Sequence, residues 1–513
     1  MELIKENVTV NQVCCKGAVK TQIDEDIIVP DVKPDILKIL QLDAFACVTD
    51  KDVSDGRASV SGKAQVKILY IPDSESENIK SIVTTFDFSH NIDNKNIGQN
   101  MKALVTATVD NAEFSLTNSR KLRVKLTVIL DYEIVEEKNV EIAVDTSGSD
   151  SAEVLKESVS LQNCVSLQEE EFTLSDSIEI PSTQTAINEI LKADARITDA
   201  EYKTVTGKIA AKGAAAVSVL YTDDENKIRF MEAEIPFTEV FDCPDAGDDT
   251  VCDIDYCVSD IRYEAQEDSD GDRRVIFVEI TVIALIKAAD NVVIDIISDC
   301  YEPYMNTQLI KEETELEEII ARPSTQNTIR ETVEAGSNAP AVSGVYDVIT
   351  KPCVTNTTLQ NGHLQAEGKI ETYILYLTDS PDAPVYSIKR DIPFSYTLDA
   401  TQDSGDLITE IKAEVKHTAY NLNMAGEIEL RCILSLSANI MRKRKIDVID
   451  DVVTEDISPD SGRGIVIYFV QPGDSLWEIS KRYAVPRGAV VGFNSLSDGE
   501  TPAAGTRLFI PGM

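Results

Sequence analysis

GKAQVKILY, residues 62–70, is the stretch on which the fold reading turns. From Ala58 to Ile71 apolar and polar residues alternate around Gly62, the period-two pattern of a strand that buries one face. The frame returns twice, as GAAAVSVLY at 213–221 and GKIETYILY at 368–376. Each copy opens on a Gly and closes on a Tyr eight residues later: Gly62 to Tyr70, Gly213 to Tyr221, Gly368 to Tyr376. A pattern that recurs at long, nearly constant spacing is the mark of a duplicated unit.

Other landmarks keep the same spacing. A Lys-Glu tetrad appears as Leu3-Ile4-Lys5-Glu6, Val154-Leu155-Lys156-Glu157 and Leu309-Ile310-Lys311-Glu312. The Lys lies 65 residues before the Tyr in all three copies. Phe88, Phe237 and Phe394 follow the Gly by 26, 24 and 26 residues, an indel that a surface loop tolerates. Pro30 and Pro181 stand 25 residues after their Lys, where the third copy has Gly336. The string Pro323-Ser324-Thr325-Gln326 copies Pro181-Ser182-Thr183-Gln184 but sits 13 residues early. The sequence leaves both alignments of the third copy open.

Arg123–Tyr132, Val275–Ala284 and Ile428–Ala438 are further β-branched runs bounded by Asp, Asn, Gly and Ser turns. The expected fold is mainly β, in three tandem domains at 1–150, 151–303 and 304–458, then a linker at 459–464 and a small domain at 465–513. About 150 residues of two-faced sheet can close a core, so the copies are expected to stand as beads on a string. The acidic run Asp268–Asp272 lies between strands rather than helices, so it reads as a solvated hairpin turn in preference to a calcium loop.

The chain carries 48 Lys+Arg against 89 Asp+Glu, a net charge of −41. Such a surface repels nucleic acid and anionic lipid and favours partners with basic patches. MELIKENVTV at the start shows no secretory pattern, and no stretch has the length of a transmembrane span. A cytosolic protein is expected. The ten cysteines include no CxxC pair and read as buried reduced thiols. His90, His363 and His417 fall at non-equivalent positions of the three copies, and no Gly-rich phosphate loop appears. The expectation is no enzyme, no catalytic residue, no cofactor and no metal.

Beyond Gly464 the composition shifts to four basic and four acidic residues, a net of zero. Ile465–Val470 reads as a strand and Gln471–Asp474 as a turn. Asp474 or Ser475 can cap the helix that follows, on which Leu476, Ile479 and Tyr483 share a face. A second helix over 486–493 ends at Asn494, and Leu508–Ile510 closes the module. Gly488 and Gly492 in that second helix each cost about 1 kcal/mol against Ala. Trp477, the chain's one Trp, reads either as core or as a partner anchor.

VQPGDSLWEISKRY, then FN, then GTRLFIP resemble a LysM domain. The resemblance implies a β-α-α-β fold with a shallow groove that reads N-acetylglucosamine-containing glycan. Carried onto this chain, the partner or glycan groove involves Gly473, Asp474, Ser475, Leu476, Trp477, Asn494 and the loop after it. The three preceding copies resemble the SPOCS domain. Their order before a LysM tail is similar to the SipL family of clostridial spore-coat morphogenetic proteins. That resemblance implies a scaffold on the mother-cell side of the forespore. Its LysM tail would dock the coat morphogenetic ATPase, stage IV sporulation protein A, beside other coat proteins. The alternative is a protein that binds peptidoglycan or cortex glycan; a shell built through exposed sheet edges is a third reading.

Overall fold

The computed structural model describes residues 1–74, 79–181, 184–336, 339–380, 383–400, 407–456, 464–497 and 502–511. The expected linker, save Gly464, lies outside the described residues, as do Ser182, Thr183, Gly512 and positions 498–501 of the loop after Asn494.

The chain is mainly β. The first copy supplies β1 (Glu2–Ile28), β2 (Ile36–Ser54), β3 (Arg57–Pro72), β4 (Lys80–Asp93), β5 (Lys102–Asn118) and β6 (Lys121–Ser147). They form two antiparallel sheets in the orders β1-β6-β5 and β2-β3-β4. Alternation directs Ala64, Val66 and Ile68 of β3 onto Leu122, Val124 and Leu126 of β6, and the two sheets close one core. The second copy repeats this with β7 (Glu153–Glu179), β8 (Ile187–Val205), β9 (Lys208–Asp223), β10 (Ile228–Asp242), β11 (Val251–Glu267) and β12 (Arg273–Tyr301). Its sheets run β7-β12-β11 and β8-β9-β10.

The third copy has β13 (Met305–Ala321), β14 (Ser324–Val333), β15 (Gly344–Gln360), β16 (His363–Leu377), β17 (Val385–Asp399), β18 (Leu407–Leu422) and β19 (Ile428–Asp456). Here β13 and β14 both pair with β19 and together occupy the place of β1. The pairing decides the alignment that the sequence leaves open. The long first strand carries a register shift at Val13/Cys15, at Cys164/Ser166 and at Ile319/Ala321. All three begin eight residues after the tetrad Lys. Pro323 falls just past this bulge, where a missing N–H is tolerated, and Gly336 follows the strand end as Pro30 and Pro181 do.

The landmarks have physical causes. Gly62, Gly213 and Gly368 lie directly across the strand pair from Phe88, Phe237 and Phe394. A Cβ on Gly368 would sit 2.2 Å from the Cys353 carbonyl oxygen and 2.6 Å from the Phe394 ring; on Gly62 the same contacts are 2.5 and 2.3 Å. The ring lies over bare backbone, so the pair must be Gly and Phe together. Tyr70, Tyr221 and Tyr376 are fully buried. Their hydroxyls donate to the Pro34 carbonyl, Gln184 Oε1 and the Pro340 carbonyl at 3.1, 2.9 and 3.0 Å, tying the segment before the second strand of each copy.

The beads-on-a-string expectation is corrected. Only the outer half of each long hairpin packs on its own second sheet. The inner halves project as ribbons and bury their apolar faces on one another. Val8, Val140 and Ile142 of the first copy join Val159, Leu161 and Ile294 of the second and Leu316 and Ile446 of the third in one cluster. The tetrad Lys explains the arrangement. Lys5 reaches Asp450 of the third copy at 3.0 Å, Lys156 approaches Asp145 of the first at 3.6 Å, and Lys311 donates to the Ser298 carbonyl of the second at 3.2 Å. One to three, two to one and three to two is a cyclic order, so the copies close into a ring.

A second junction joins the smaller sheets. Leu69, Leu220 and Leu375, each one residue before its Tyr, meet in one cluster with Leu191 and Tyr346. Beside them Lys192, only 1 % exposed, pairs with Asp43 at 2.9 Å and Asp194 at 3.0 Å. Lys67 reaches Asp194 at 2.8 Å and Arg196 reaches Asp347 at 3.2 Å. Lys192–Asp194 lies within the second copy; the other three pairs cross from it to the first and third. Burial opposes the charge of Lys192, but Asp194 and Asp43 outweigh it and hold its pKa well above the ordinary value.

Candidate functional site

The C-terminal module comprises β20 (Val466–Phe469), α1 (Leu476–Arg482), α2 (Arg487–Phe493) and β21 (Arg507–Ile510), with β20 antiparallel to β21. Leu476, Ile479, Val485, Val490, Leu508 and Ile510 form its own core. Ser475 is the helix cap: its hydroxyl accepts from the Glu478 N–H at 3.1 Å, and the Glu478 carboxylate accepts from the Ser475 N–H at 3.0 Å.

Asp474 has a different task. Its Oδ2 accepts from the Tyr468 hydroxyl at 2.5 Å and the Gln471 N–H at 2.8 Å. Those two donors, with Arg482 nearby, hold its carboxyl below the ordinary aspartate range. Gly473 has φ +94° and open space around it, a conformation that suits glycine. Together they set the exposed Gln471–Asp474 turn. Asn494 staples the module: Nδ2 donates to the Val490 and Phe509 carbonyls at 2.8 Å each, and Oδ1 accepts from the Phe509 N–H at 2.7 Å.

Of the six residues singled out from sequence, Gly473, Asp474 and Ser475 share the turn at the start of α1. Leu476 points into the module's core and Asn494 into its own backbone. Trp477 points the other way. It is 9 % exposed and outside the module's core. Its ring stands edge-on to Tyr301 with centroids 5.2 Å apart, and Nε1 donates to Asp299 Oδ2 at 2.7 Å. Lys481, one turn on, pairs with the same carboxylate. The Tyr301 hydroxyl donates to the Val485 carbonyl at 2.9 Å, and the Arg487 N–H donates to Glu153 at 3.0 Å. Through α1 and the turn after it, the module is docked on the second copy.

This seat has no local signature around Trp477, because Asp299 and Tyr301 lie far away in the chain. Asp299 lies at the bulge of β12, in register with Asp145 and Asp451, and in all three copies the carboxylate accepts the N–H of the next residue. The threefold Asp was readable from the repeat. Tyr301 is not repeated: Ser147 and Val453 hold its place.

The docked module leaves another surface open. Ile465, just before β20, and Ile467 and Phe469 within it are 59, 54 and 56 % exposed, with Phe509 opposite Ile467. They form an apolar sheet face turned to solvent. The acidic Asp268–Asp272 run is a hairpin turn in which Asp268 accepts from the Asp270 and Asp272 N–H groups and Arg274 pairs with Asp272 at 3.0 Å. A concavity of about 1030 Å³ opens where the copies meet, lined among others by Lys67, Asp194, Arg196 and Asp347, whose charges are spent on one another across the junction. No helix among the described residues is long and apolar enough to cross a membrane.

A family model described as SipL, SPOCS domain matches residues 35–117, 186–266 and 341–423, and one described as LysM domain matches 468–511. No curated protein and no solved structure matches the chain. Each SPOCS match starts beside the second long strand of its copy and ends within β5, β11 or at the end of β18, so the ribbons that close the ring flank the matched segments. Both domain types are non-catalytic binding or scaffold modules. Three SPOCS domains on one ring with a LysM domain seated on it place this chain in the SipL family of sporulation and spore-coat proteins.

Proposed function

We propose that the chain is a non-enzymatic scaffold of coat assembly, held on the mother-cell side of the forespore, that docks the coat morphogenetic ATPase (stage IV sporulation protein A) through its LysM module. The observation that carries this reading is the outward apolar face Ile465, Ile467 and Phe469. A charge-neutral module on a body that brings the chain to −41 exposes a strip suited to another protein, while its α1 face is occupied by the body. The acidic ring keeps nucleic acid and anionic surfaces away and favours a partner with basic patches around an apolar contact.

Binding of N-acetylglucosamine-containing glycan is the second reading. The Gln471–Asp474 turn favours it: Gly473, Asp474 and Ser475 would form one lip of the family's groove, and with the module docked Gly473 is exposed while Asp474 and Ser475 are half-buried. Leu476, Trp477 and Asn494 would then act by holding that lip in place.

The test compares the full chain, a chain ending at Gly464 and the Ile467→Arg variant in pulldowns of the purified ATPase and of insoluble peptidoglycan. Loss of ATPase capture in both altered chains is the expected result. If Ile467→Arg retains the ATPase, the sheet face is not the dock. If only glycan capture disappears with the tail, the scaffold reading gives way to the glycan reading.

A further inference from the structure

Cys47 on β2 of the first copy and Cys257 on β11 of the second face each other across the joint between those copies, with sulfurs 3.5 Å apart. Cys47 is buried and Cys257 half-buried. Lys51 and Glu169 form an ion pair across the same joint. The strand registers identify the corresponding positions elsewhere. Cys47, opposite Lys63, matches Thr198, opposite Ala214, and Cys353, opposite Lys369. Cys257, opposite Ile283, matches Thr108, opposite Ile129, and Glu414, opposite Ser435. Only at the joint of the first and second copies does this register bring two thiols together; Thr198 with Glu414, and Cys353 with Thr108, are the counterparts.

We infer that Cys47 and Cys257 are a built cross-linking site: peroxide oxidation joins them in a disulfide that ties the first copy covalently to the second. A disulfide needs its sulfurs at about 2.05 Å, so the two must close by about 1.5 Å, a movement within reach of side-chain rotation. The chemistry balances. The Cys257 thiolate attacks one peroxide oxygen; an S–O bond forms, the O–O bond breaks, and the departing hydroxide takes a proton to leave as water. The Cys47 sulfur then attacks the Cys257 sulfur; the S–S bond forms, the S–O bond breaks, and a second water carries off the Cys47 proton. Two thiols and one hydrogen peroxide give one disulfide and two waters. The order of attack follows from the surroundings. With Cys257 ionised, the Cys47 S–H donates to it and holds it below the ordinary thiol range despite burial, whereas Cys47 itself is pushed up. The half-buried sulfur is also the one peroxide reaches first.

The full chain is titrated with hydrogen peroxide, alkylated, digested without reductant and read by mass spectrometry. Exposed Cys353, which stands in the place of Cys47 without a thiol counterpart, is the internal gauge of peroxide dose. The expected result is a Cys47–Cys257 peptide pair, lighter by two hydrogens and released by dithiothreitol, at doses that oxidise half of Cys353 or less. It should form at a rate independent of protein concentration. Cys257→Ser should leave Cys47 as free thiol, and Cys47→Ser should leave a sulfenic acid on Cys257 that a dimedone-type reagent labels. Complete oxidation of Cys353 with no linked pair in the wild-type chain overturns the inference. So does a linked pair that forms only between chains and rises with concentration.

Discussion

The Trp477 indole N–H meets the Asp299 carboxylate at 2.7 Å, joining α1 of the LysM module to the bulge of β12 in the second copy. The same carboxylate takes Lys481, so one side chain holds two donors from one helix face. Asp299→Ala strips both of their acceptor, and an orphaned buried donor costs about 1–3 kcal/mol. Because Trp477 is the only Trp, its fluorescence reports this joint alone. The variant should show a red-shifted emission and earlier proteolytic release of the tail, with the unfolding of the ring unchanged. An unshifted spectrum would mean that Tyr301 alone seats the module.

The Gly–Phe crossings differ in severity. A Cβ at Gly62 or Gly368 strikes a carbonyl oxygen at 2.5 or 2.2 Å, which cannot swing away. At Gly213 the nearest atoms are the Phe237 ring at 2.9 Å and the Ala200 Cα at 3.2 Å. Gly62→Ala and Gly368→Ala should each cost about 1–3 kcal/mol, the usual toll of overpacking, and Gly213→Ala less. Urea midpoints of the three variants rank the effect.

Leu316 belongs to the third copy yet is buried among residues of the first and second. Leu316→Ala should cost about 2–5 kcal/mol. The more telling readout is cooperativity: in calorimetry the ring should still melt in one transition, shifted down. A separate early transition confined to the third copy would revive independent domains.

Lys192 is the buried cation that the half-buried carboxylates Asp43 and Asp194 share. Lys192→Met takes this partner from Asp43 and leaves Asp194 with Lys67 alone, at a cost of about 3 kcal/mol, the low end for breaking a buried pair because both carboxylates are half-exposed. The pH dependence has a definite sign. Burial raises the Asp194 pKa, but Lys192 and Lys67 overcome it, so the folded value lies below 3.8. Its contribution is therefore complete above 3.8 and lost as pH falls through the lower folded value. The deficit of Lys192→Met should be largest at neutral pH and shrink under acid, as followed by urea unfolding. A gap that does not change with pH would place the effect in packing rather than charge.

The repeat was legible because local geometry imposes it. Gly62 and Phe88 recur at fixed spacing since they touch across one hairpin, and Tyr70 recurs since its hydroxyl ties the same loop. The LysM module was legible because its cap, turn and helix faces lie within fifty residues of one another. What escaped notice depends on residues far apart in the chain. Val8 reads as an ordinary strand residue, and nothing near it says that Leu161 and Leu316 lie beside it. Trp477 follows Leu476 on the helix, and only the seat at Tyr301 shows which way its ring turns. Cys47 and Cys257 are 210 residues apart and look like two unrelated thiols until the ring closes.

The cyclic order of Lys5, Lys156 and Lys311 carries an evolutionary consequence. An open solenoid lengthens by tandem duplication, since its end always offers a surface for one more unit. Here the third copy hands its bulge back to the first, as the Lys5–Asp450 pair records, and no vacant socket is left for another. Gene duplication inside such a lineage would yield an unpartnered, sticky appendage rather than a longer scaffold, so three becomes a count the architecture itself enforces.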